Sequence, residues 1–503
     1  MNELLSALSM ISDPAVILAL LVGSIGGVIV GAIPGVGPPV AIAIILPATF
    51  SLDPLIGLSA MLGIYGSAMY GGALPAILIN TPGTAVNALT TFDGYPMTKR
   101  GEARQALMLA YTASFVGGVV GVAALMILSP VLAKIAPLFG AREIFLVALL
   151  GLILVILVHR GQVAAAGMLA GLGIFISTVG LDRSTYSQRY TFDQSWLSSG
   201  FDLIVVVLGL FAISQAFVLL LAPNEQPDVK PVTGRIGEGF GRIFKHMRVA
   251  LVGSGCGVGM GIIPGVGEFT AQFLSYSHAR RNSKTPEMFG KGAPEGLVAA
   301  ESANNAVPGA ALVPLLALGI PGEALTAMML SVFYVHGVIP GPRLFADQMD
   351  FVLALYIALI IMNVLVLGFL LVSTNALTRL IKIPTRFLGV SILLLSFVGV
   401  YSLRNSVTDC AVAAGVGLFG MILRRLNLPI VPIILGIVLG DIMEQRLKVA
   451  AVQIHTPWDI FNRPISAVLV ILIGALLASA IWNHLRPKKQ TNQQGETNEK
   501  VSS

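Results

Sequence analysis

Apolar runs of membrane-span length recur from Pro14 to Trp482, separated by short stretches rich in polar residues, Gly and Pro. They fall at about 14–33, 38–50, 54–91, 105–129, 143–158, 162–180, 200–222, 249–263, 268–277, 295–338, 351–372, 387–402, 410–423, 428–443 and 465–485. A helix needs roughly 20 apolar residues to cross hydrocarbon. The runs at 38–50 and 268–277 are too short for that, and those at 54–91 and 295–338 are too long and carry internal Pro-Gly. The pattern predicts an all-α polytopic membrane protein with several irregular elements.

Composition agrees. Of 503 residues, 55% are hydrophobic and 11% charged, against roughly 25% charged in an ordinary globular chain. Mean hydropathy is +0.85. This excludes a soluble enzyme, a nucleic-acid binder and a disordered scaffold. The net charge of +6 signals orientation in a bilayer rather than a polyanionic partner. Cys256 and Cys410 stand alone in apolar segments and read as core-filling thiols. The N-terminus lacks the basic stretch of a cleaved signal peptide, so the first apolar segment is expected to stay.

An internal repeat is visible. GAIPGVG at 31–37 returns as GIIPGVG at 261–267, and Pro75, Pro82 and Gly83 return as Pro314, Pro321 and Gly322. Arg142 and its apolar run resemble Arg386 and its run. The flanks of the first PGVG element hold no Lys or Arg; those of the second hold nine, among them Lys230, Arg242, Arg280 and Arg281. Equivalent loops with opposite charge bias belong on opposite membrane faces, which is an inverted repeat. Each PGVG element then enters and leaves on one side, as a helical hairpin. The expected trace has about eleven crossings plus two hairpins, the N-terminus outside and the C-terminus inside, and it puts more than two-thirds of the 31 Lys and Arg inside. Residues 1–222 form an N-terminal membrane repeat, 223–248 a cytoplasmic linker and 249–464 an inverted C-terminal repeat. An extra terminal span at 465–485 and a disordered cytoplasmic tail at 486–503 follow.

The chemistry resides in the interruptions. Every backbone polar group in hydrocarbon must be satisfied internally. Pro removes a donor and frees a carbonyl. Pro34-Gly35, Pro82-Gly83, Pro264-Gly265 and Pro321-Gly322 therefore expose backbone at membrane depth. Each break creates a half-helix N-terminus with unpaired N–H groups and a positive dipole end, where carboxylates bind. Freed carbonyls, with Asn and Thr side chains, offer hard ligands for Na⁺. Candidate substrate-binding residues are Gly35, Val36, Gly37, Thr81, Gly83, Thr84, Asn87, Gly265, Val266, Gly267 and Gly322. Candidates for Na⁺ coordination or proton coupling are Asn80, Glu268, Asn304, Asn305 and Glu323. Intramembrane acids are costly and mark function. Glu268 and Glu323 follow the two second-half breaks, and Glu301 precedes the Asn pair; Pro38 and Thr84 stand where the first half would carry Glu268 and Glu323. The bland readings compete: an acid after a break suits the dipole of the next helix, and small residues such as Gly117, Gly118 and Gly121 merely pack helices. The loop 92–104, with Asp93, Lys99, Arg100 and Arg104, is expected to anchor the inside face. Arg183 and Arg189 either serve the outside loop or meet a partner protein.

No GxxxxGK motif followed by Ser or Thr is present, the nearest being FGKG at 289–292; HExxH and GxSxG are absent, and the six His are scattered. The expectation is a non-enzymatic transporter driven by an ion gradient, with no cofactor beyond the coupling Na⁺ or H⁺. At GAIPGVGP (31–38), NTPGTAVNALTTFDGYPMTKRGEA (80–103), GIIPGVG (261–267), FGKGAPEG (289–296), ESANNA (301–306) and LGIPGEALTAM (318–328) the chain resembles the large permease subunits of tripartite tricarboxylate transporters. The resemblance covers nearly the whole chain. It implies a bacterial inner-membrane permease that imports a tricarboxylate or dicarboxylate by cation symport, with a periplasmic substrate-binding protein and a small membrane subunit as partners. It also implies a substrate-carrying unit moving against a scaffold. The chain departs from the family pattern at Glu268 and Glu323, which leaves the carboxylate open. The alternative is a re-entrant-hairpin channel for small anions or organic acids.

Overall fold

The computed structural model describes residues 2–485 apart from 35, 160, 183–184, 223–231, 233–238, 381–382 and 454–455. Gly35, Arg183, most of the expected linker and the tail at 486–503 thus lie outside the described residues.

The first half opens with a short helix α1 (Asn2–Ile11), ahead of the first apolar run. Helices α2 (Pro14–Gly31) and α3 (Gly37–Thr49) follow, then α4 (Pro54–Ile79) and α5 (Ala88–Lys99), α6 (Ala103–Ile135), α7 (Ala141–Val158) and α8 (Val163–Ser177). The half closes with α9 (Leu203–Val207), which passes through a π-helical turn, Leu208–Ile213, into α10 (Ser214–Leu221). The second half runs α11 (Met247–Ile262), α12 (Gly267–Asn282), α13 (Pro294–Leu318), α14 (Ala324–Val335), α15 (Pro342–Asp347), α16 (Met349–Leu380), α17 (Thr385–Arg404), α18 (Val407–Arg425) and α19 (Val431–Gln453), with α20 (Pro464–Leu485) at the end. A two-residue antiparallel pair, Gly180–Leu181 with Gln188–Arg189, folds the loop after α8.

Local chemistry explains the boundaries. Pro begins α2, α4 and α13, where its missing N–H costs nothing. Asp13 caps α2 by accepting from Ala15 N–H at 2.8 Å. Asn80 and Gly319 stop α4 and α13 in the left-handed conformation, with φ of 57° and 70°. They are equivalent positions of the repeat.

Nine helices among the described residues are long and apolar enough to span a bilayer, so the chain is an all-α multi-pass membrane protein. The expected trace of eleven crossings treated α2 as a hairpin arm and added α8, which has only 15 residues, the broken α13–α14 pair and α19, whose polar residues dilute their hydropathy.

The order of elements recurs from one half to the other, and so does their packing. Helix α2 lies on α4 as α11 lies on α13; α6 packs on α13 as α16 packs on α4; α8 packs on α19 as α18 packs on the π-helical turn between α9 and α10. One device sets the closest of these approaches. Gly23, Gly27 and Gly31 line α2 where it meets Ala60, Ile64 and Ala68 of α4, and Gly253, Gly257 and Gly261 do the same for α11 against α13. A methyl group on Gly27 would fall 2.8 Å from the Ile64 Cα. In lipid, where apolar contact alone drives little association, such small-residue stripes let two backbones touch.

Polar contacts gather at two ends of the bundle. At one end Ser6 donates to Asp350 (2.8 Å), Arg142 to the Asp459 carbonyl, and Arg463 to Glu143 (2.9 Å). Arg189 pairs there with Glu444 at 2.6 Å, and Lys448 with Asp182 at 2.8 Å. Arg189, which the sequence offered as a partner-binding residue, is thus engaged inside the chain; its guanidinium is held above its ordinary value by the Glu444 hydrogen bond. At the other end Arg104 reaches Asn375 (3.3 Å), Gln162 the Asn427 carbonyl (2.9 Å), and Asp93 the 290–293 segment.

Candidate functional site

The four Pro-Gly interruptions stand where the sequence put them. The first hairpin turns between α2 and α3 and the second between α11 and α12; α4 gives way to α5 at Pro82-Gly83, and α13 to α14 at Pro321-Gly322. The new helices α3, α5 and α12 start at Val36, Asn87 and Val266 with no side chain capping their first N–H groups. These are the free donor ends expected of a broken helix.

In the second half the hairpin tip and the helix break touch directly. Gly265 N–H donates to the Gly322 carbonyl at 2.5 Å. Gly265 and Gly267 hold φ of 85° and 64°, values that L side chains rarely adopt, so the turn requires glycine at both. A methyl on Gly265 would also lie 2.5 Å from the Val155 nitrogen, because this tip is pressed against α7. Just beyond the tip, Glu268 is 6% exposed and its Oε1 makes no hydrogen bond among the described residues; Glu323 Oε2 faces the same tip, 3.9 Å from where a Cβ on Gly267 would stand. The other Glu323 oxygen, Oε1, accepts from the Tyr65 hydroxyl at 2.8 Å. Glu323 N–H in turn donates to Thr326 Oγ1 at 3.0 Å. No lysine, arginine or histidine pairs with either acid among the described residues. Two buried carboxyls at one tip repel each other when both are ionised.

The first half builds a different cluster. Gly83 N–H donates to the Gly72 carbonyl at 3.2 Å, which seats the break against α4, and a methyl on Gly83 would meet the Gly31 carbonyl oxygen at 2.1 Å. Thr84 donates to Asn87 Oδ1 at 2.5 Å, and Asn87 Nδ2 donates to the Met69 carbonyl at 3.2 Å and to Glu301 at 3.4 Å. Glu301 is fully buried. It also accepts from the Thr90 hydroxyl, from Ser114 at 2.8 Å and from Asn305 Nδ2 at 3.4 Å. Tyr70 extends the network by donating to Asn363 Oδ1 at 2.5 Å. Gln272 of α12 donates to the Val86 carbonyl, so the second hairpin also touches the first break.

The structure therefore joins Gly265, Gly267, Glu268, Gly322 and Glu323 in one cluster, with Val266 at its edge. It joins Gly83, Thr84, Asn87 and Asn305 in another. Asn304 is buried with neither side-chain polar atom hydrogen-bonded. Val36 and Gly37 are buried at the first tip. Asn80 and Thr81 stand apart: both are exposed, and the Thr81 hydroxyl donates to the Ile79 carbonyl of its own turn, at 3.3 Å. Gly35 lies outside the described residues.

Sequence reasoning passed over Tyr65, Tyr70, Thr90, Ser114, Gln272 and Asn363. Tyr65 carried a signal, since the repeat aligns it with Asn304. Asp93 was misjudged as part of a surface anchor. It is fully buried; its Oδ1 accepts from the N–H groups of Gly290 (2.9 Å), Gly292 (2.8 Å) and Ala293 (2.8 Å), and its Oδ2 from the Tyr276 hydroxyl (2.8 Å). Arg100 adds a hydrogen bond to the Gly292 carbonyl at 2.8 Å. The FGKG turn does cradle an anion, and that anion is a side chain of the first half.

Comparison with known proteins adds the family. No solved structure matches. The chain is 35% identical over 498 residues to an uncharacterized 52.8 kDa protein in the TAR-I ttuC′ 3′ region of Agrobacterium vitis, covering 97% of this chain and 98% of that one. It is 32% identical over 231 residues to an uncharacterized protein in the TAR-II ttuC′ 3′ region of the same organism, covering 46% of this chain and 96% of that one. The family model for the tripartite tricarboxylate transporter TctA family matches residues 17–435, and with the breaks and both motif-bearing clusters in place, the chain belongs to that family.

Proposed function

We propose that the chain is the permease of a three-part uptake system that imports a carboxylate by cation symport, receiving it from a periplasmic binding protein and working beside a small membrane subunit. The observation that carries this is the pairing of uncapped helix N-termini with helix breaks that are bonded across the two halves. Tyr65 of α4 bonds the second break and Glu301 of α13 bonds the first. Such N–H ends suit a carboxylate substrate. The Glu268–Glu323 pair is the coupling site, because adding one Na⁺ or one proton relieves its like-charge repulsion. Family membership supports the tripartite setting.

The inverted arrangement belongs to the same proposal. Every polar contact between loops described above joins two loops that the charge-based trace puts on one face, which supports that trace. On it, the N-terminus faces the periplasm and the C-terminus the cytoplasm of a bacterial inner membrane.

The test is uptake of labelled di- and tricarboxylates into proteoliposomes with added binding protein. Accumulation against the carboxylate gradient is expected, driven by an imposed Na⁺ or pH gradient. Gly322→Leu should abolish it while preserving the monodisperse protein, since a Cβ there meets its neighbours at ordinary contact distance (Pro264 Cα at 3.6 Å) and the isobutyl group places apolar bulk at the break. Equilibration without accumulation would favour the channel instead, and wild-type uptake by Gly322→Leu would remove the break from the site.

A further inference from the structure

Beside the Asp93 cradle a groove of about 600 Å³ opens between α5, α12 and the 286–290 turn. Its walls are Leu89, Phe92, Phe273, Tyr276 and Phe289, and its rim carries Ser277, Arg280 and Arg281. The walls are stiff: Tyr276 is tied to Asp93, and its ring packs edge-on against Phe289 at 5.3 Å and Phe92 at 6.2 Å. No acid lines the groove. Asp93, behind the Tyr276 wall, is saturated by three N–H groups and a hydroxyl, and neither Arg280 nor Arg281 forms an ion pair with Glu287 of the turn or with any other acid among the described residues. The rim thus presents two unneutralised guanidiniums over an apolar slot.

The position is equally telling. Phe269 and Phe273 are 56% and 59% exposed along α12, and the basic last turn follows directly. Gly267 and Arg280 are thirteen residues apart, about 20 Å of helix. Half of the hydrocarbon core is about 15 Å. A hairpin tip at the midplane therefore sets Arg280 and Arg281 at headgroup level, with the phenylalanines in the acyl region below.

We propose that this groove binds a phospholipid with an anionic headgroup, its phosphate held by Arg280, Arg281 and Ser277 and an acyl chain lying along Phe92 and Phe273. Charge complementarity at the rim and apolar continuity toward the bilayer select that occupant. The site would fasten the second hairpin to the helix that follows the first break. The inference rests on the hairpin entering from the side of its basic end, and on no property of the transported substrate.

Native mass spectrometry of the full chain, released from nanodiscs of equal phosphatidylglycerol and phosphatidylcholine, tests it. Retained phosphatidylglycerol is expected at roughly tenfold over phosphatidylcholine for wild type. Arg280→Gln/Arg281→Gln should reduce that preference to parity, Ser277→Trp should lower it by filling the slot, and Arg379→Gln should leave it unchanged. If the double variant misfolds, Ser277→Trp alone decides. Equal retention of both lipids, a wild-type preference in Ser277→Trp, or displacement of phosphatidylglycerol by millimolar inorganic phosphate would overturn the proposal. So would photocrosslinks from a benzophenone residue at position 92 that run to the small membrane subunit rather than to lipid. The readout is binding, so its failure leaves the transport reading intact, and a failed transport assay leaves this one intact.

Discussion

Replacing Asp93 with alanine would open the junction between the two halves at one end of the bundle. The side chain is the sole acceptor recorded for the N–H groups of Gly290 and Gly292 and is shared by that of Ala293, all within 2.9 Å. A buried donor left without an acceptor costs about 1–3 kcal/mol. Three of them, with some water entering the vacated space, amount to about 4 kcal/mol. Asp93→Asn keeps an oxygen for the three donors and loses the charge. Charge-assisted hydrogen bonds are roughly twice as strong as neutral ones, so the asparagine variant should lose about 2 kcal/mol. Unfolding entropy of about 2.1 cal/mol/K per residue gives roughly 1 kcal/mol per degree for a chain of 503 residues. Global melting in detergent should then fall by about 4 °C for alanine and about 2 °C for asparagine. Local opening responds more steeply: 4 kcal/mol is nearly three decades in an opening constant. Trypsin cleavage after Lys291, inside the turn, should rise by up to about a thousandfold in Asp93→Ala and far less in Asp93→Asn. Equal cleavage in wild type and Asp93→Ala, or an asparagine variant worse than alanine, would refute the reasoning.

Gly117→Ala should destabilise by about 3 kcal/mol or more, because its methyl would sit 2.2 Å from the Ser302 carbonyl oxygen where α6 crosses α13. Gly171→Ala on α8, with nothing within 4 Å, should instead be neutral or gain up to about 1 kcal/mol; thermal stability of the pair in detergent checks both. Tyr65→Phe removes the 2.8 Å bond to Glu323 without changing packing volume much. It should weaken apparent affinity for the coupling cation about tenfold, and an unchanged Na⁺ and pH dependence of uptake would exclude Tyr65 from the coupling site.

The breaks were legible because Pro-Gly inside an apolar run is costly and has few structural solutions. The repeat was legible because those costly dipeptides recur at matched spacing. What the breaks bind to was not. Tyr65 and Glu323 are 258 residues apart, and Thr90 and Glu301 are 211 apart; no periodicity says which helix faces which across such distances. Asp93 was hidden by its neighbours: with Lys99 and Arg100 close by, it reads as part of a solvated charge run. Only the fold reveals that its carboxylate points away from them into a turn of the other half. Helix α1 was missed for a related reason. Ten residues are too few for a span, and the helix persists because it packs on α16.

The two halves share a backbone plan and differ in the chemistry attached to it. Every carboxyl at the breaks, Glu268, Glu301 and Glu323, comes from the second half, while Tyr65, Asn87, Thr90 and Ser114, which donate to them, come from the first. At the end of the bundle the polarity reverses: the first half supplies Asp93 and the second supplies the N–H groups. Identical halves would build two identical breaks, whereas here the contact equivalent to Tyr65–Glu323 would join Asn304 to Thr84 and carries no acid. Burying an unpaired polar group costs more than a good hydrogen bond returns, so divergence at these positions commits each half to the other. The same divergence makes the breaks unequal. One is lined by neutral amides and hydroxyls around a single satisfied carboxylate. The other holds two acids at one tip with no basic partner among the described residues, which is the asymmetry the proposed symport would require of its two kinds of cargo.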